Sequence, residues 1–600
     1  MAIRELLDRR HFIARLLPIA ALAIGLAWIA VPIDVSAQET IDRRDVLITE
    51  AWPAGTSFKN YNNLNPFAVG NDLRNHAVFI HEPLFYWLNL TGEHVPYLAT
   101  GHKFNDDFTS VTVTLRDGVT WSDAKPFSAD DVVFTFEMLR KNGEGKNDLV
   151  WARDVASTLK EAVKIDDRTV RFDLKNRDPR FVLRLLTVKF TTGIYPMPKH
   201  VWEKVEDPAS FQNFDPEKKL PVGTGPWRIA AALPERIVLD RRDDWWGAKP
   251  GAWGAQQGAF YTNLPEVKRI ITIPRGDAQQ AAQQLAAQQL DWIVEAPVPI
   301  MKRLLSQYPF ITTLTDRKPP YGNVDWWATA LFFNHASPAV ADINVRKAIL
   351  HTVNAKQIVD IFHEGAADLL YQPYPDFKIL KPYIDDLTPL AKERGFQQPD
   401  AKKAAEYMAR AGYKKDAQGL WAKDGKRWKA ELHGPPPLEG IGPILAEQLR
   451  RGGFETSWQK RPDYLQFIYA GKADMVLWGN NGSIFDPEDT MLLYHSKFYR
   501  PVGESTPRFH RWRNARFDEL ADQVGKLPPN DPAIRPLVKE AFKIWMDELV
   551  LVPIAQWYHR IPFSTVNWTG WPSQSNPYVP PTISAFTSPL VVQGLKKVQR

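Results

Sequence analysis

The fold is decided by a stretch that reads LRDGVTWSDAKPFSADDV, residues 115–132. The β-branched alternation of residues 111–115 predicts a strand, and Asp117-Gly118 supplies the turn that follows it. Trp121 is large and apolar enough to fill a core beside that turn. Ser128 is a favoured N-cap, and the two acids in the next turn suit the positive end of a helix. The stretch therefore predicts a strand, a turn and a helix in immediate succession.

Strand and helix signals alternate along the remaining chain. Asp277 caps a predicted helix that ends near Leu290, Asp400 caps another that ends at Ala411, and a third helix is predicted over 344–351. The other predicted strands are 46–48, 170–174, 292–294, 331–333, 473–478 and 549–553. The chain shows no internal repeat and no long disordered linker, so the prediction is an α/β protein of a few intimately connected lobes.

Composition excludes several classes of protein. A chain of 600 residues is too long for one ordinary core. With 75 Lys+Arg against 69 Asp+Glu, the net charge of +6 gives nucleic-acid binding no support. Cysteine is absent, which excludes disulfides, thiolate metal sites and cysteine nucleophiles. The 22 Trp residues are unusual, and they indicate recognition surfaces as well as core.

The N-terminus predicts export. A basic segment ends at Arg15, residues 16–33 are uncharged and apolar, and Val35-Ser36-Ala37 resembles a cleavage site, so residues 1–37 are predicted to be a signal peptide. The alternative is a permanent membrane anchor. Arg9-Arg10 resembles the twin-arginine export motif, which would place the folded protein in the periplasm. Cleavage after Ala37 removes four basic and three acidic residues and leaves a net charge of +5.

Motifs for catalysis are missing. The chain has no phosphate-binding loop, since Gly223-Thr224-Gly225 is followed by Pro226 and Trp227 instead of Lys, and it has no G-x-S-x-G or H-E-x-x-H sequence. Adjacent acids such as Asp243-Asp244 suit turns better than catalytic pairs. The pattern predicts no cofactor, no catalytic residue and no metal, although it leaves open a nickel or zinc site assembled across lobes.

Several segments resemble, in order, the family 5 extracytoplasmic solute-binding proteins of ABC importers, which bind peptides, nickel or oligosaccharides. The most specific is 115–132, which departs from the family pattern in having Ala124 in place of Gly. The other matching segments are 81–85 (HEPLF), 91–93 (TGE), 96–99 (PYLA), 198–202 (PKHVW), 222–227 (VGTGPW), 333–334 (FN) and 345–349 (VRKAI). The resemblance runs from about residue 46 to about residue 565.

This resemblance implies a two-lobed clamshell with an extra subdomain and a two-strand hinge. The boundaries it implies are 38–77, 78–190 (the extra subdomain) and 191–304 for the first lobe, 305–554 for the second lobe, and 555–600 for the return. The protein would be a non-enzymatic monomer in the periplasm that closes on a small molecule and is recognised by the inner-membrane permease, without nucleic acid.

The class of ligand depends on the segment after Trp478. In peptide binders of the family a carboxylate in a Trp-x-x-Asp segment pairs with the peptide ammonium, whereas this chain has Asn481 at that position. An amide suits a neutral polyol, so a neutral oligosaccharide is favoured. The alternative is that the loop is shifted and Asp486 takes over the ammonium contact, which would make the ligand an oligopeptide.

Aromatic residues support a sugar ligand, because indoles stack on the apolar faces of sugar rings. Core packing is the alternative for each of them. The Asn-rich loop 60–67 is similar to one in the sugar-binding branch, although Asn is also a common turn residue. The candidate ligand-binding residues are Trp478, Asn480, Asn481, Trp557, Trp326, Trp327, Trp52, Phe67, Trp151 and Asp486. A secreted glycoside hydrolase is the hypothesis from a different class.

Overall fold

The computed structural model describes residues 41–55, 57–70, 77–256, 260–261 and 264–599. The predicted signal peptide, residues 1–37, lies outside the described residues. Among those that are described, no helix is long and apolar enough to cross a membrane. Residues 43–600 pack as one unit.

The first lobe is built on a four-stranded sheet that joins distant parts of the chain. In spatial order its strands are Val46–Ala54, Arg269–Arg275, Arg236–Arg241 and Trp227–Leu233. The first two strands run parallel, and the other neighbours run antiparallel. The parallel pair requires a long crossover, because parallel strands cannot be joined by a tight turn.

The crossover contains the quoted stretch, and the structure confirms its prediction. Ser110–Leu115 is a strand and Ala129–Glu144 is a helix. Ser128 and Asp131 form a capping box, in which the Asp131 carboxylate accepts from the Ser128 backbone N–H at 3.0 Å. The buried Trp121 indole also donates to Asp131, at 3.2 Å. Local chemistry thus fixes this corner of the lobe.

Around this corner lies an antiparallel sheet with strands in the order Ala99–Phe104, Ser110–Leu115, Thr169–Leu174 and Leu159–Asp166. A third sheet has the order Glu93–Pro96, Phe85–Leu88, Thr187–Val188, and a short pair joins Trp568–Thr569 to Lys596–Lys597. The helices of this part of the chain are Ala77–Ile80, Ala152–Thr158, Lys199–Trp202, Ala278–Ala286, Val298–Gln307 and Ser588–Gly594, with short turns of helix at Arg43–Asp45, Val182–Leu186 and Trp246–Ala248.

The second lobe has its own five-stranded sheet and its own core. The strand order is Glu455–Gln459, Lys429–His433, Met475–Asn481, Trp327–Phe333 and Leu551–Ala555. A small sheet comprises Lys414–Lys415, Trp421–Lys423 and Lys426–Arg427. The helices are Ile343–Thr352, Ala355–Phe362, Lys381–Glu393, Ala401–Arg410, Gly442–Arg451, Tyr464–Tyr469, Glu488–Tyr494, Ala515–Lys526 and Ile534–Asp547, with short 3-10 turns at Lys378–Leu380, Pro436–Leu438 and Ser496–Phe498. Two large buried apolar clusters fill the two lobes, and the second of them also includes Trp87, Phe190 and Ala585 from the first-lobe segments.

Two short antiparallel strand pairs connect the lobes. Asn323–Val324 pairs with Tyr558–His559, and Ile311–Thr312 pairs with Phe563–Ser564. Each pair joins the segment that leaves the first lobe to the segment that returns. Two adjacent crossover strands form a narrow connection that a few residues can bend. The residue boundaries of the lobes given above stay predictions.

Two sequence predictions are wrong. Residues 292–294 form no strand: Trp292 makes isolated bridges to Thr49 and Phe563, and its indole donates to the Pro581 carbonyl at 2.9 Å. The helix capped by Asp277 ends at Ala286 instead of Leu290, because Gln288 takes a left-handed backbone conformation with φ of 59°. The strand predicted over 46–48 continues to Ala54 and therefore includes Trp52. The other predicted helices and strands are confirmed to within a few residues at their ends.

Candidate functional site

Aromatic side chains meet where the second lobe faces the hinge. We call Phe190, Trp326, Trp327, Trp478 and Trp557 the aromatic cluster. Ring centroids are 6.3 Å apart for Trp327 and Trp478, 5.6 Å for Trp327 and Trp557, and 5.7 Å for Phe190 and Trp326. The four indoles are each partly exposed, whereas Phe190 is buried. Phe190 precedes the second lobe by more than a hundred residues, so the cluster contains side chains from both lobes.

Strand pairing explains how three indoles converge. Trp327 begins its strand directly opposite Asn481, at the end of the neighbouring strand that contains Trp478. Gly479 permits the approach, because a Cβ atom there would lie 2.0 Å from the Trp327 indole. Trp557 follows the adjacent strand Leu551–Ala555, which pairs with the other side of Trp327–Phe333. No signal in the sequence indicates that this glycine packs against Trp327.

The two predicted asparagines have different surroundings. Asn480 is buried, and its amide donates to the Pro373 carbonyl at 2.8 Å and accepts from the Tyr494 hydroxyl at 3.1 Å. Its polar atoms are therefore used by the protein itself. Asn481 is exposed beside Trp327 at the end of its strand. Of the two amides, Asn481 is the one available to a ligand.

A small cavity of about 60 Å³ lies beside Trp478. Its lining includes Asn481, Tyr494, Arg508 and Phe509. Its volume is far below the roughly 300–1,000 Å³ of a pocket that encloses a whole small ligand. Arg508 pairs with no carboxylate among the described residues, and burial lowers its pKa. The cavity is a small side pocket of mixed polar and apolar lining, with the Arg508 guanidinium in its wall.

The hinge carries a charged group beside the aromatic cluster. The His559 ring lies 5.7 Å from that of Phe190, contacts Asp325 through Nε2, and has Nδ1 3.9 Å from Glu295. Burial lowers the pKa of His559, but the two carboxylates outweigh burial and raise it to about 10. His559 is therefore an imidazolium at neutral pH, held in the hinge strand Tyr558–His559.

A second contact between the lobes is ionic. We call Arg177, Arg180 and Arg184 of the first lobe the arginine clamp. Arg180 is fully buried and contacts both Asp486 and Glu488 of the second lobe, the latter at 2.9 Å. Arg184 pairs with the same Glu488 at 2.5 Å. A buried guanidinium needs such partners, because leaving it unpaired would cost several kcal/mol.

The clamp also holds the end of a second-lobe helix. Arg180 donates to the Leu527 carbonyl at 2.8 Å, and Arg177 donates to the Lys526 carbonyl at 2.9 Å. Both carbonyls lie at the C-terminus of helix Ala515–Lys526, where the helix dipole favours a positive charge. Burial raises the pKa of Asp486 to about 6, although Arg180 opposes that shift. The clamp thus joins the lobes with three charged side chains and a helix terminus.

Other predicted residues lie apart from the aromatic cluster. Asp486 belongs to the clamp and is occupied by Arg180. Phe67 is buried in the first-lobe core, edge-on to Trp202 at 5.8 Å. Trp151 is partly buried against that core, directly before helix Ala152–Thr158. Trp52 lies in strand Val46–Ala54, and its side chain is outside the described part of the chain.

The Asn-rich loop uses its central amide locally. Asn65 donates to the carbonyls of Pro208 and Phe211, both at 2.8 Å, and accepts from the Phe67 backbone N–H at 2.8 Å.

Among the described residues, no three His, Asp or Glu side chains are placed to hold a metal ion. The clamp and Phe190 had no signal in the sequence, because their partners are hundreds of residues away.

Two lobes with their own sheets, paired hinge strands, and aromatic and ionic contacts between them are the architecture of a two-lobed binding protein. The profile of "Bacterial extracellular solute-binding proteins, family 5 Middle" matches residues 93–499. The chain belongs to this family, whose members are the non-enzymatic solute-binding components of ABC importers. The resemblance seen in the sequence is thereby confirmed.

Similar proteins carry several kinds of ligand. The chain is 26% identical to the oligopeptide-binding protein AppA of Bacillus subtilis, with 63% of this chain and 64% of AppA covered. It is 23% identical to the dipeptide-binding protein of Escherichia coli, with 89% and 92% covered. A mannohexaose-bound periplasmic oligopeptide-binding protein from Thermotoga maritima has a similar structure, with a TM-score of 0.71, 21% identity, and 94% of this chain and all of that chain covered. At that identity the structural likeness shows the fold alone.

Proposed function

We propose that this chain captures a neutral oligosaccharide between its lobes and delivers it to the permease of an ABC importer. The capture site is the aromatic cluster together with the exposed amide of Asn481. The protein acts as a monomer in the periplasm, after export directed by the N-terminal segment that contains Arg9-Arg10. It binds its ligand without nucleic acid, cofactor or metal.

The exposed amide of Asn481 is the observation on which the proposal of a neutral ligand depends. Beside Trp327 and Trp478, where peptide binders of the family place a carboxylate, this chain exposes the amide of Asn481. An amide donates to and accepts from hydroxyl groups but supplies no charge for an ammonium. Partly exposed indoles offer apolar faces to the C–H faces of sugar rings. Asp486 is already paired with Arg180 in this conformation.

Lobe closure follows from the contacts that cross the cleft. Phe190 reaches the aromatic cluster from the first lobe, and the arginine clamp reaches the second lobe. A ligand held by both lobes stabilises the closed state by its differential affinity for that state. The closed surface is then what the permease recognises.

Native mass spectrometry of the protein purified from rich medium tests the class of ligand, because a buried ligand remains bound during purification. Masses spaced by hexose units support the proposal. A ladder of peptide masses overturns it. Calorimetric titration with mannohexaose and with a tripeptide, on protein unfolded and refolded to remove bound ligand, provides an independent comparison.

An oligopeptide is the second candidate, and Arg508 favours it. This guanidinium lines the cavity beside Trp478 and pairs with no carboxylate among the described residues. A peptide C-terminus would supply the missing carboxylate and form charge-assisted hydrogen bonds. If a peptide is the ligand, Arg508→Met should weaken peptide binding and leave mannohexaose binding unchanged.

A glycoside hydrolase would use the same aromatic surface but would release products. Prolonged incubation with mannohexaose, followed by chromatography, separates the two functions. Thermal stabilisation by an unaltered sugar supports a binding protein, whereas shorter sugars in the products overturn that function.

A further inference from the structure

The net charge of the chain is concentrated in one segment of the second lobe. Residues 401–429 contain nine Lys and Arg residues against three Asp and Glu residues, a local net charge of +6. The whole chain also has a net charge of +6. The residues outside 401–429 therefore have a net charge of zero. The excess of positive charge is confined to this segment and is not spread over the whole surface.

The segment folds as a helix followed by a small sheet. Helix Ala401–Arg410 leads into the small sheet Lys414–Lys415, Trp421–Lys423 and Lys426–Arg427. All nine basic residues are exposed. Lys423 and Lys426 are directly opposite each other across a turn, an arrangement that destabilises a strand pair because like charges repel. We call residues 401–429 the basic face.

Most of this positive charge is not neutralised within the protein. Arg427 pairs with Asp416 at 2.7 Å, and Lys429 lies 3.6 Å from Glu455. Lys402, Lys414 and Lys426 form no ion pair with a carboxylate of the described residues. Unpaired exposed lysines project their field into the solvent over about 8 Å at physiological salt.

The composition of the basic face indicates the kind of partner. Seven of its nine cations are Lys, and no large hydrophobic side chain within residues 401–429, all of them described, is exposed. Protein interfaces are depleted in Lys and have an apolar core with aromatic residues. Anionic lipid headgroups instead attract clustered Lys and Arg through diffuse charge, with no need for an apolar core.

We propose that the basic face binds an anionic phospholipid surface. This contact holds the protein on the membrane in which a permease resides, and it is independent of ligand capture at the aromatic cluster. It also accounts for the like-charge pair Lys423 and Lys426, which the fold keeps although the pair destabilises the small sheet.

Co-sedimentation with vesicles tests the proposal. The full chain is mixed with vesicles of phosphatidylcholine alone or of phosphatidylcholine with phosphatidylglycerol, and the readout is the ratio of the two partition coefficients. Lys414→Glu/Lys415→Glu/Lys426→Glu should lower this ratio on the order of 100-fold at low salt. High salt should abolish the wild-type preference. All variants share the same N-terminus, so the apolar segment 16–33 contributes equally to every measurement.

The matched control is Lys103→Glu/Lys160→Glu/Lys204→Glu, which makes the same change in net charge at exposed positions of the first lobe. It should lower the ratio less than threefold. Equal losses in both triple variants overturn the proposal, because net charge alone would then explain binding. Absence of any preference for anionic vesicles overturns it, as does Lys-dependent retention only on membranes that contain the permease. Thermal unfolding of each variant verifies that the fold is intact.

Discussion

The aromatic cluster and the arginine clamp both join the two lobes, but by opposite chemistry. The indoles of Trp327, Trp478 and Trp557 are partly exposed and contact one another edge to face. Arg180 is fully buried, and each contact that it makes is a directed ion pair or hydrogen bond. An apolar, partly exposed surface can contact ligands of varied shape. A buried ion pair is stable only when its charged groups are in one relative position. The cluster therefore suits ligand contact, and the clamp suits definition of the closed state.

The largest expected effect comes from breaking the clamp. Arg180→Ala leaves Asp486 buried without a cation and leaves Glu488 with Arg184 alone, which should shift the equilibrium toward open lobes by about 3–5 kcal/mol. Opening lets water solvate the carboxylates, so the unfolding temperature should fall much less than that energy implies. Distances between spin labels at Asp167→Cys and Lys539→Cys measure the opening, and the absence of native cysteine makes the labelling specific.

Arg171→Ala is the control for this experiment, because among the described residues Arg171 pairs only with Asp173 of its own first-lobe strand, Thr169–Leu174. It should change the label distances little. Identical distance distributions for the Arg180 variant and the parent protein would show that the clamp does not hold the lobes together.

The next effect separates ligand contact from core packing. Trp478→Ala should weaken binding of mannohexaose by at least about 2 kcal/mol, because a partly exposed indole is lost from the capture site. The melting temperature of the ligand-free protein should change little. Trp545, fully buried in the same lobe, is the matched control: Trp545→Ala should cost about 3–5 kcal/mol of folding stability. A similar loss of stability in both variants would make Trp478 a core residue.

A smaller effect tests how the cluster is shaped. Gly479→Ala places a methyl group where the Trp327 indole lies, so it should cost about 1–3 kcal/mol through displacement of that ring. Gly101→Ala is the control, since a Cβ atom there meets nothing within 4 Å. Tryptophan fluorescence and chemical unfolding measure both variants. If the two variants have the same free energy of unfolding, displacement of the Trp327 indole does not destabilise the protein.

The smallest effect concerns the hinge charge. The folded state raises the pKa of His559 from 6.5 to about 10, so its stabilising contribution is complete below pH 6.5 and is lost as the pH rises through 10. The melting temperature should therefore fall between pH 7 and 10 by a few degrees more for the wild type than for His559→Gln. If the melting temperatures of the two proteins fall equally with pH, His559 does not contribute to the pH dependence of stability.

Local sequence patterns predict the structure correctly where a residue's partners are near in the chain. Ser128 and Asp131 cap one helix and are three residues apart, so the local pattern was sufficient. In the structure three of the candidate aromatic residues, Trp326, Trp327 and Trp557, lie next to the strands that enter and leave the second lobe. Their role in ligand binding is still a prediction.

Local sequence patterns contain no information about partners that are far away in the chain. The loop 60–67 has the Asn-rich composition expected of a sugar-binding loop. The amide of its central Asn65, however, donates to carbonyls more than a hundred residues away in the chain. No sequence pattern marks Arg180, although its side chain is fully buried between the lobes. Short-range patterns report backbone preference, and they carry no information about which surface will cover a side chain.

The sequence alone determined the α/β class, the family and the absence of cysteine chemistry, because periodicity, caps and ordered motifs act over a few residues. The folded structure is needed to show that the Asn480 amide bonds within the protein while Asn481 is exposed, and that Asp486 pairs with Arg180. Those outcomes depend on strand register and on the packing of one lobe against the other. Both of these bring together residues whose separation in the chain is too long for any local pattern to record.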